Sequence, residues 1–289
     1  MPYKILAINP GSTSTKIAVY IDEQELFSET INHSDEELAK CVSLREQFEM
    51  RKNLIREVFH RRKFDTAELD AVVGRGGLLP PVKAGGYLVN EAMKRRIIYG
   101  PIISHASNLG ALLAAAVAKP YGIPAYIYDA VSADELKPVA KITGIPEIER
   151  QSFCHVLNSK ATARKVAQGF GKKYEEMNFI VAHLGGGISI SAHERGKIVD
   201  VISDDAGPFS PERSGSVPLH YIVDMCYSGK YSKQELLKKL RGMGGLKAHL
   251  GTHDCQEIER MIANGDEKAK LVYEAQAYQV AKGIGELST

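Results

Sequence analysis

Ile5-Leu6-Ala7-Ile8-Asn9-Pro10-Gly11-Ser12-Thr13-Ser14-Thr15-Lys16-Ile17-Ala18-Val19-Tyr20 reads as strand, turn, strand, and everything else in the first half is arranged around it. Apolar residues 5–8 run into a glycine- and hydroxyl-rich turn, and residues 16–20 leave it as a second strand. After Asp22-Glu23, residues 25–28 supply a third strand. Ser34 stands three residues before Glu37, the signature of a capping box. It predicts one long helix with Leu38, Val42, Phe48, Ile55 and Phe59 on its apolar side. Residues 69–74 read as a strand entering the loop Arg75-Gly76-Gly77. Residues 108–119 form an alanine-rich buried helix stopped by Pro120 and Gly122, and residues 125–128 a strand carrying Asp129 at its C-terminal end.

The opening pattern returns in the second half. Residues 180–183 lead into Gly185-Gly186-Gly187, residues 188–192 leave it, and a further strand covers 197–202. At an offset of roughly 175, Ile5 meets Ile180, Ala7 meets Ala182 and Gly11 meets Gly186. Such a period predicts two duplicated domains, residues 1–140 and 141–289; the alternative is two unrelated hairpins. Helices are expected at 218–227, 234–240 (with a Ser232/Glu235 capping box), 254–264 and from about 266 onward. The second copy has no counterpart of the two later strands of the first, which would leave its sheet with an open edge. It is therefore expected to be incomplete, with the natural chain continuing past Thr289; a divergent but complete second domain is the alternative.

Composition narrows the function classes. The 289 residues are 44% hydrophobic and 25% charged, with a formal net charge of +2. That is ordinary for a soluble globular protein and gives no broad attraction to nucleic acid or an acidic membrane. Cys41, Cys154, Cys226 and Cys255 lack paired C-x-x-C spacing and read as free thiols of a reducing cytosol. No export signal or membrane-length apolar run is visible, so a cytoplasmic location is expected.

The turn Gly11-Ser12-Thr13-Ser14-Thr15-Lys16 offers a phosphate close backbone amides, hydroxyl donors and a positive charge. It lacks the Walker spacing, and a strand follows where a helix would start. Serine- and threonine-rich turns are often only turns, but Gly185-Gly186-Gly187 is a second place where a backbone can approach phosphates.

Residues 8–16, Ile-Asn-Pro-Gly-Ser-Thr-Ser-Thr-Lys, resemble the first phosphate motif of the acetate and butyrate kinase (acetokinase) family, and Ala182-His183-Leu184-Gly185-Gly186-Gly187 its second. Pro211-Glu212-Arg213-Ser214-Gly215 is similar to the segment that carries the family's catalytic arginine. Gly74-Arg75-Gly76-Gly77-Leu78-Leu79-Pro80 and His105-Ala106-Ser107-Asn108-Leu109-Gly110 resemble the butyrate kinase branch. The resemblance implies an α/β protein of the actin-like, sugar-kinase and Hsp70-like class: two ribonuclease-H-like domains with a nucleotide cleft between them. By the same resemblance Arg75, His105, Asp129, His155 and Arg213 are the catalytic candidates. Asn9, Ser12, Thr13, Ser14, Lys16, His183, Gly185, Gly186, Gly187 and Asp254 are the ATP/ADP-binding candidates, with Asn9 near Mg²⁺. The loop Ser203-Asp204-Asp205-Ala206 is shorter than the branch usually carries.

Each candidate has a plainer reading. An aspartate after a strand commonly caps a turn, Asp254 is placed to cap the following helix, and histidines beside glycine turns are often structural donors. The function the resemblance implies is reversible, in-line transfer of the ATP γ-phosphoryl to a short-chain carboxylate, butyrate or a branched acid, in a homo-oligomer. The alternatives are an acetate- or propionate-preferring kinase, a non-catalytic chaperone-like member of the superfamily, and a catalytically inactive nucleotide-binding fragment.

Overall fold

The structure, a computed structural model, describes residues 1–11, 13–41, 43–100 and 106–289. The chain divides into two compact units, Met1–Asp134 and Glu135–Thr289.

The first unit opens with the expected meander, β1 (Lys4–Pro10), β2 (Ser14–Ile21) and β3 (Gln24–Asn32), all antiparallel. The single long helix expected next is instead two, α1 (Asp35–Lys40) and α2 (Leu44–Arg62). The physical reason is a second capping box. Ser43 accepts from Glu46 N while the Glu46 carboxylate accepts from Ser43 N at 2.8 Å, which starts a new helix rather than extending the old one. Val42, expected on the apolar side, lies outside the described residues. The unit continues through β4 (Ala71–Arg75), β5 (Gly86–Leu88), α3 (Glu91–Tyr99), α4 (Leu109–Ala118) and β6 (Ala125–Tyr128); neither β5 nor α3 was legible in the sequence. The sheet order is β3-β2-β1-β4-β6-β5, with β1, β4 and β6 parallel. Leu6, Ile8, Ile17, Val19 and Val72 meet Ile55 and Phe59 of α2 and Leu109 and Leu113 of α4 in one core.

The two motifs at 74–80 and 106–110 turn out to be one packing unit. A side chain on Gly74 would overlap the Gly110 carbonyl, and one on Gly110 the Arg75 carbonyl, so the glycines let α4 lie directly on β4. Asn108 Oδ1 then accepts from Leu78 N at 2.7 Å, holding the loop that follows Arg75.

The second unit begins with α5 (Pro138–Lys141) and α6 (Val156–Gly169), then a second antiparallel meander, β7 (Asn178–Leu184), β8 (Ile188–Glu194) and β9 (Lys197–Ile202). Five helices follow: α7 (Leu219–Tyr227), α8 (Lys233–Leu240), α9 (Gly245–Leu250), α10 (Cys255–Ala263) and α11 (Glu267–Glu286). On one face of the sheet Ala163 and Ala167 of α6 pack against Tyr174, Phe179 and Val181. On the other, Gly283 lets α11 approach Ile190 and Ile202.

The two meanders share a detail that composition does not dictate. β2 and β3 join through Asp22 at positive φ, and β8 and β9 through Arg195 at positive φ. In each, the ladder runs two pairs from the turn and then slips by one residue, at Val19/Tyr20 and at Ala192/His193. Matching turn to turn and slip to slip sets Asn9 equivalent to His183, one residue from the offset expected from sequence.

Candidate functional site

In the first unit the site is built around the β1–β2 turn. Asn9 and Lys16 are cross-strand partners, so both rise from one face, and both are exposed. Gly11 N donates to the Ser14 carbonyl at 2.8 Å and closes the turn that contains Thr13. Arg75, at the end of β4, donates from Nη1 to Asn9 Oδ1 at 3.4 Å. Burial lowers the pKa of its guanidinium, which nonetheless remains charged. Asp129 directly follows β6 with φ 41° and is buried. Its Oδ1 accepts from Gly85 N at 2.8 Å while its own N–H donates to the Gly85 carbonyl at 3.1 Å. Asp129 thus braces the loop at Gly85 through both its side chain and its backbone. Ser12 and His105 lie outside the described residues.

In the second unit the site surrounds the β7–β8 turn. His183 and Ser189 are cross-strand partners on the face covered by α6. The His155 and His183 rings stack at 3.7 Å with 10° between their planes. His183 Nδ1 donates to Asn158 Oδ1 at 3.1 Å, while His155 Nδ1 and the Ser189 hydroxyl lie 2.8 Å apart, a hydrogen bond either group can donate. The turn Gly185-Gly186-Gly187 is held from behind by the buried Ser210 hydroxyl, which donates to the Gly186 carbonyl at 2.6 Å.

Arg213 lies against this turn. A side chain on Gly187 would overlap its guanidinium, so the glycine there makes room for arginine. Asp204, only 4% exposed, forms an ion pair with Arg213 and a second at 3.2 Å with Arg241. Burial first, and the neighbouring Arg241 second, lower the Arg213 pKa to about 10, so it keeps its charge at neutral pH. Asp254 caps α10, its Oδ1 accepting from Gln256 N at 2.8 Å. Beside it a cavity of about 630 Å³ is lined by Leu184, Gly185, Gly186, His253, Cys255 and Tyr273 among others.

Sequence reasoning missed the residues that hold these groups in place: Asp204, Arg241, Asn158, Ser189 and Ser210. Asp204 sat in the short loop already noted, but nothing in the spacing tied that loop to Arg213. The separate turns and arginines place no three metal-ligating acids, histidines or cysteines together among the described residues.

Residues 148–289 match the family model described as the Acetokinase family. That segment, just under half of the chain, is similar in sequence to the acetokinases. The fold agrees over nearly the whole chain. An acetate kinase from Porphyromonas gingivalis superposes with a TM-score of 0.78 at 19% identity, over 99% of this chain and 79% of that one. A propionate kinase from Francisella tularensis gives 0.73 at 22%, over 99% and 80%. An acetate kinase from Entamoeba histolytica gives 0.76 at 18%, over 98% and 78%. Within the acetokinase-matched segment lie His155, His183, the three glycines, Arg213 and Asp254. Asn9, Lys16 and Arg75 lie outside it, on a fold shared with those kinases.

Proposed function

We propose that this protein transfers a phosphoryl group between ATP and a short-chain carboxylate, forming an acyl phosphate. The observation that carries the reading is repeated: each unit sets an arginine beside a glycine-bearing hairpin turn, Arg75 with Asn9 in the first and Arg213 on Gly187 in the second. Glycine turns present amides to phosphate oxygens, and a planar guanidinium suits both phosphate and carboxylate. The identical turn and slip in the two meanders support an origin by duplication of one ribonuclease-H-like unit.

A carboxylate is already ionised at neutral pH, so the nucleophile needs no strong base. Its oxygen attacks the γ-phosphorus in line, the bond to the β,γ-bridging oxygen breaks, and ADP leaves with that oxygen's charge. Catalysis then rests on positioning and charge neutralisation. Arg213, Arg75 and the imidazoles of His155 and His183 are the groups present for that purpose. The cavity beside Gly185 and Tyr273 has the size and largely apolar walls that suit a purine, with Asp254 close by for the ribose. Mg²⁺ would supply further neutralisation of phosphate charge, and the exposed Asn9, whose amide oxygen also accepts from Arg75, is the residue that would lie near it.

Butyrate or a branched acid is the proposed substrate, on the resemblance of residues 74–80 and 105–110. The described part of those motifs packs α4 on β4, which marks lineage more than pocket size. The likeness to acetate and propionate kinases therefore supports a two- or three-carbon acid at least as well. One methylene is worth only about 1–3 kcal/mol in such a pocket.

Trapping the product as a hydroxamate, with ATP, Mg²⁺ and acetate, propionate, butyrate or isobutyrate in turn, decides the matter. A maximum at four carbons supports the butyrate assignment, and a maximum at two or three replaces it. No product with any of the acids overturns the kinase reading.

A further inference from the structure

Arg51 breaks the pattern of its own helix. Along α2 the core-facing positions Phe48, Ile55 and Phe59 lie seven and four residues apart, and Arg51, three after Phe48 and four before Ile55, falls on the same stripe. It is 0% exposed. Burial lowers the pKa of its guanidinium, as it must for a cation taken out of water. A leucine or methionine there would continue the stripe without that desolvation cost. What the arginine does that they cannot is reach the root of the first turn. Its Nη1 donates to the Ser14 carbonyl at 2.9 Å and to the Thr15 hydroxyl at 2.8 Å.

His33 completes the arrangement from β3's end. Its Nε2 and the Thr15 hydroxyl lie 2.9 Å apart, and its backbone N–H donates to the Thr13 carbonyl at 2.9 Å. The carbonyls of Thr13 and Ser14 are thus both engaged from the protein side. Because a trans peptide sets C=O and N–H in opposite directions, fixing the Thr13 carbonyl on His33 turns the Ser14 N–H to the other side, the side of Gly11. An anion seated there would meet the Ser14 amide hydrogen, with the fixed positive charge of Arg51 close behind it, while the Gly11 N–H stays on the Ser14 carbonyl.

We propose that Arg51 is a positioning residue for the β1–β2 turn: it fixes the Ser14 carbonyl and the Thr15 hydroxyl and adds a buried positive charge behind the Ser14 amide that receives phosphate. This rests on reading the turn as a phosphate site. Arg51 touches no substrate itself; it acts through Ser14 and Thr15.

The test measures binding of inorganic tripolyphosphate and of Mg·ATP to the full chain by titration calorimetry. Arg51→Met is expected to weaken tripolyphosphate by about 10- to 100-fold, the range for losing charge-assisted hydrogen bonds. Arg51→Lys keeps the charge with a poorer reach and should recover part of that loss. Thr15→Val, which removes the hydroxyl between Arg51 and His33, gives an independent and milder loss should Arg51→Met not fold. Ile55→Ala, one turn along the same stripe, is the control: it lowers stability and leaves affinity unchanged. The proposal is overturned if folded Arg51→Met or Arg51→Lys binds like the parent, or if Ile55→Ala costs as much affinity. It is equally overturned if the parent chain binds no tripolyphosphate. Should the parent bind it tightly, with the expected losses, yet phosphorylate no acid, the kinase reading fails and the role of Arg51 stands.

Discussion

Arg213 shows how much of a candidate catalytic residue is decided by its neighbours. The residue itself is legible in Pro211-Glu212-Arg213-Ser214-Gly215, but its setting is not. The guanidinium is held between a glycine that leaves room for it and an aspartate shared with Arg241. Two cations so close raise each other's energy, and Asp204 offsets that. Gly187→Ala puts a methyl group where the guanidinium lies, and the flexible end of Arg213 is what gives way. We expect kcat in the hydroxamate assay to fall by about tenfold or more, as for loss of one transition-state donor, with less than about 1 kcal/mol lost in urea unfolding. Asp204→Asn should lower kcat similarly but also cost about 1–3 kcal/mol of stability, since it leaves a partly buried arginine pair uncompensated. Unchanged kcat in both variants would remove Arg213 from the catalytic set.

At the scale of elements, strand periodicity and caps were readable, while breaks and long-range fastenings were not. The strands around both turns lie where alternation and turn residues put them, because those signals are local. The Ser43/Glu46 box is as local a signal as the Ser34/Glu37 box, but the apolar spacing runs on across it and masks the break. Arg51 was visible too, as a charge on an apolar stripe; its acceptors at Ser14 and Thr15 come from 36 or more positions away and no spacing rule reaches them. The layer of α6 on β7 and β8 holds a buried polar line of the same kind. His193 receives or shares hydrogen bonds with the Tyr174 and Ser191 hydroxyls at 2.6 and 2.8 Å, and burial, with Lys160 and Arg164 nearby, lowers its pKa to about 4. The unfolded value is near 6.5, so the unfolded chain binds the extra proton first as pH falls. Stability from this group is complete above pH 6.5, declines from there toward pH 4 and is flat below. The loss is on the order of 3 kcal/mol. Urea unfolding at pH 7 and pH 4.5 should show a drop that His193→Gln reduces by about that amount, and an equal drop in the variant would assign the acid sensitivity elsewhere.

Across the whole molecule, the sequence conveyed the class of the fold because the class is written in a repeated local pattern, strand–glycine turn–strand–strand. The match of residues 148–289 to the acetokinase model covers only one copy of that pattern. Chemistry is harder to read at this scale, since each turn depends on a residue delivered by a distant element: Arg51 from α2 to the first, Ser210 from the loop after β9 to the second. The four cysteines, all free of disulfides, offer a way to locate nucleotide on the whole chain without assuming turnover. Cys226 is exposed on α7 and should alkylate first. Cys154 is buried, its thiol pushed up to about 12 by desolvation, so it should resist iodoacetamide until the chain unfolds. Cys255 is half-buried and lines the cavity next to Gly185 and Tyr273. If that cavity takes the purine, Mg·ATP slows alkylation of Cys255 at pH 8 and leaves Cys226 unaffected, as read by mass spectrometry of digests. Tripolyphosphate, which has no base, then protects Cys255 far less than ATP does. Equal protection by both would move the purine elsewhere and leave the cavity a lining of the glycine turn alone.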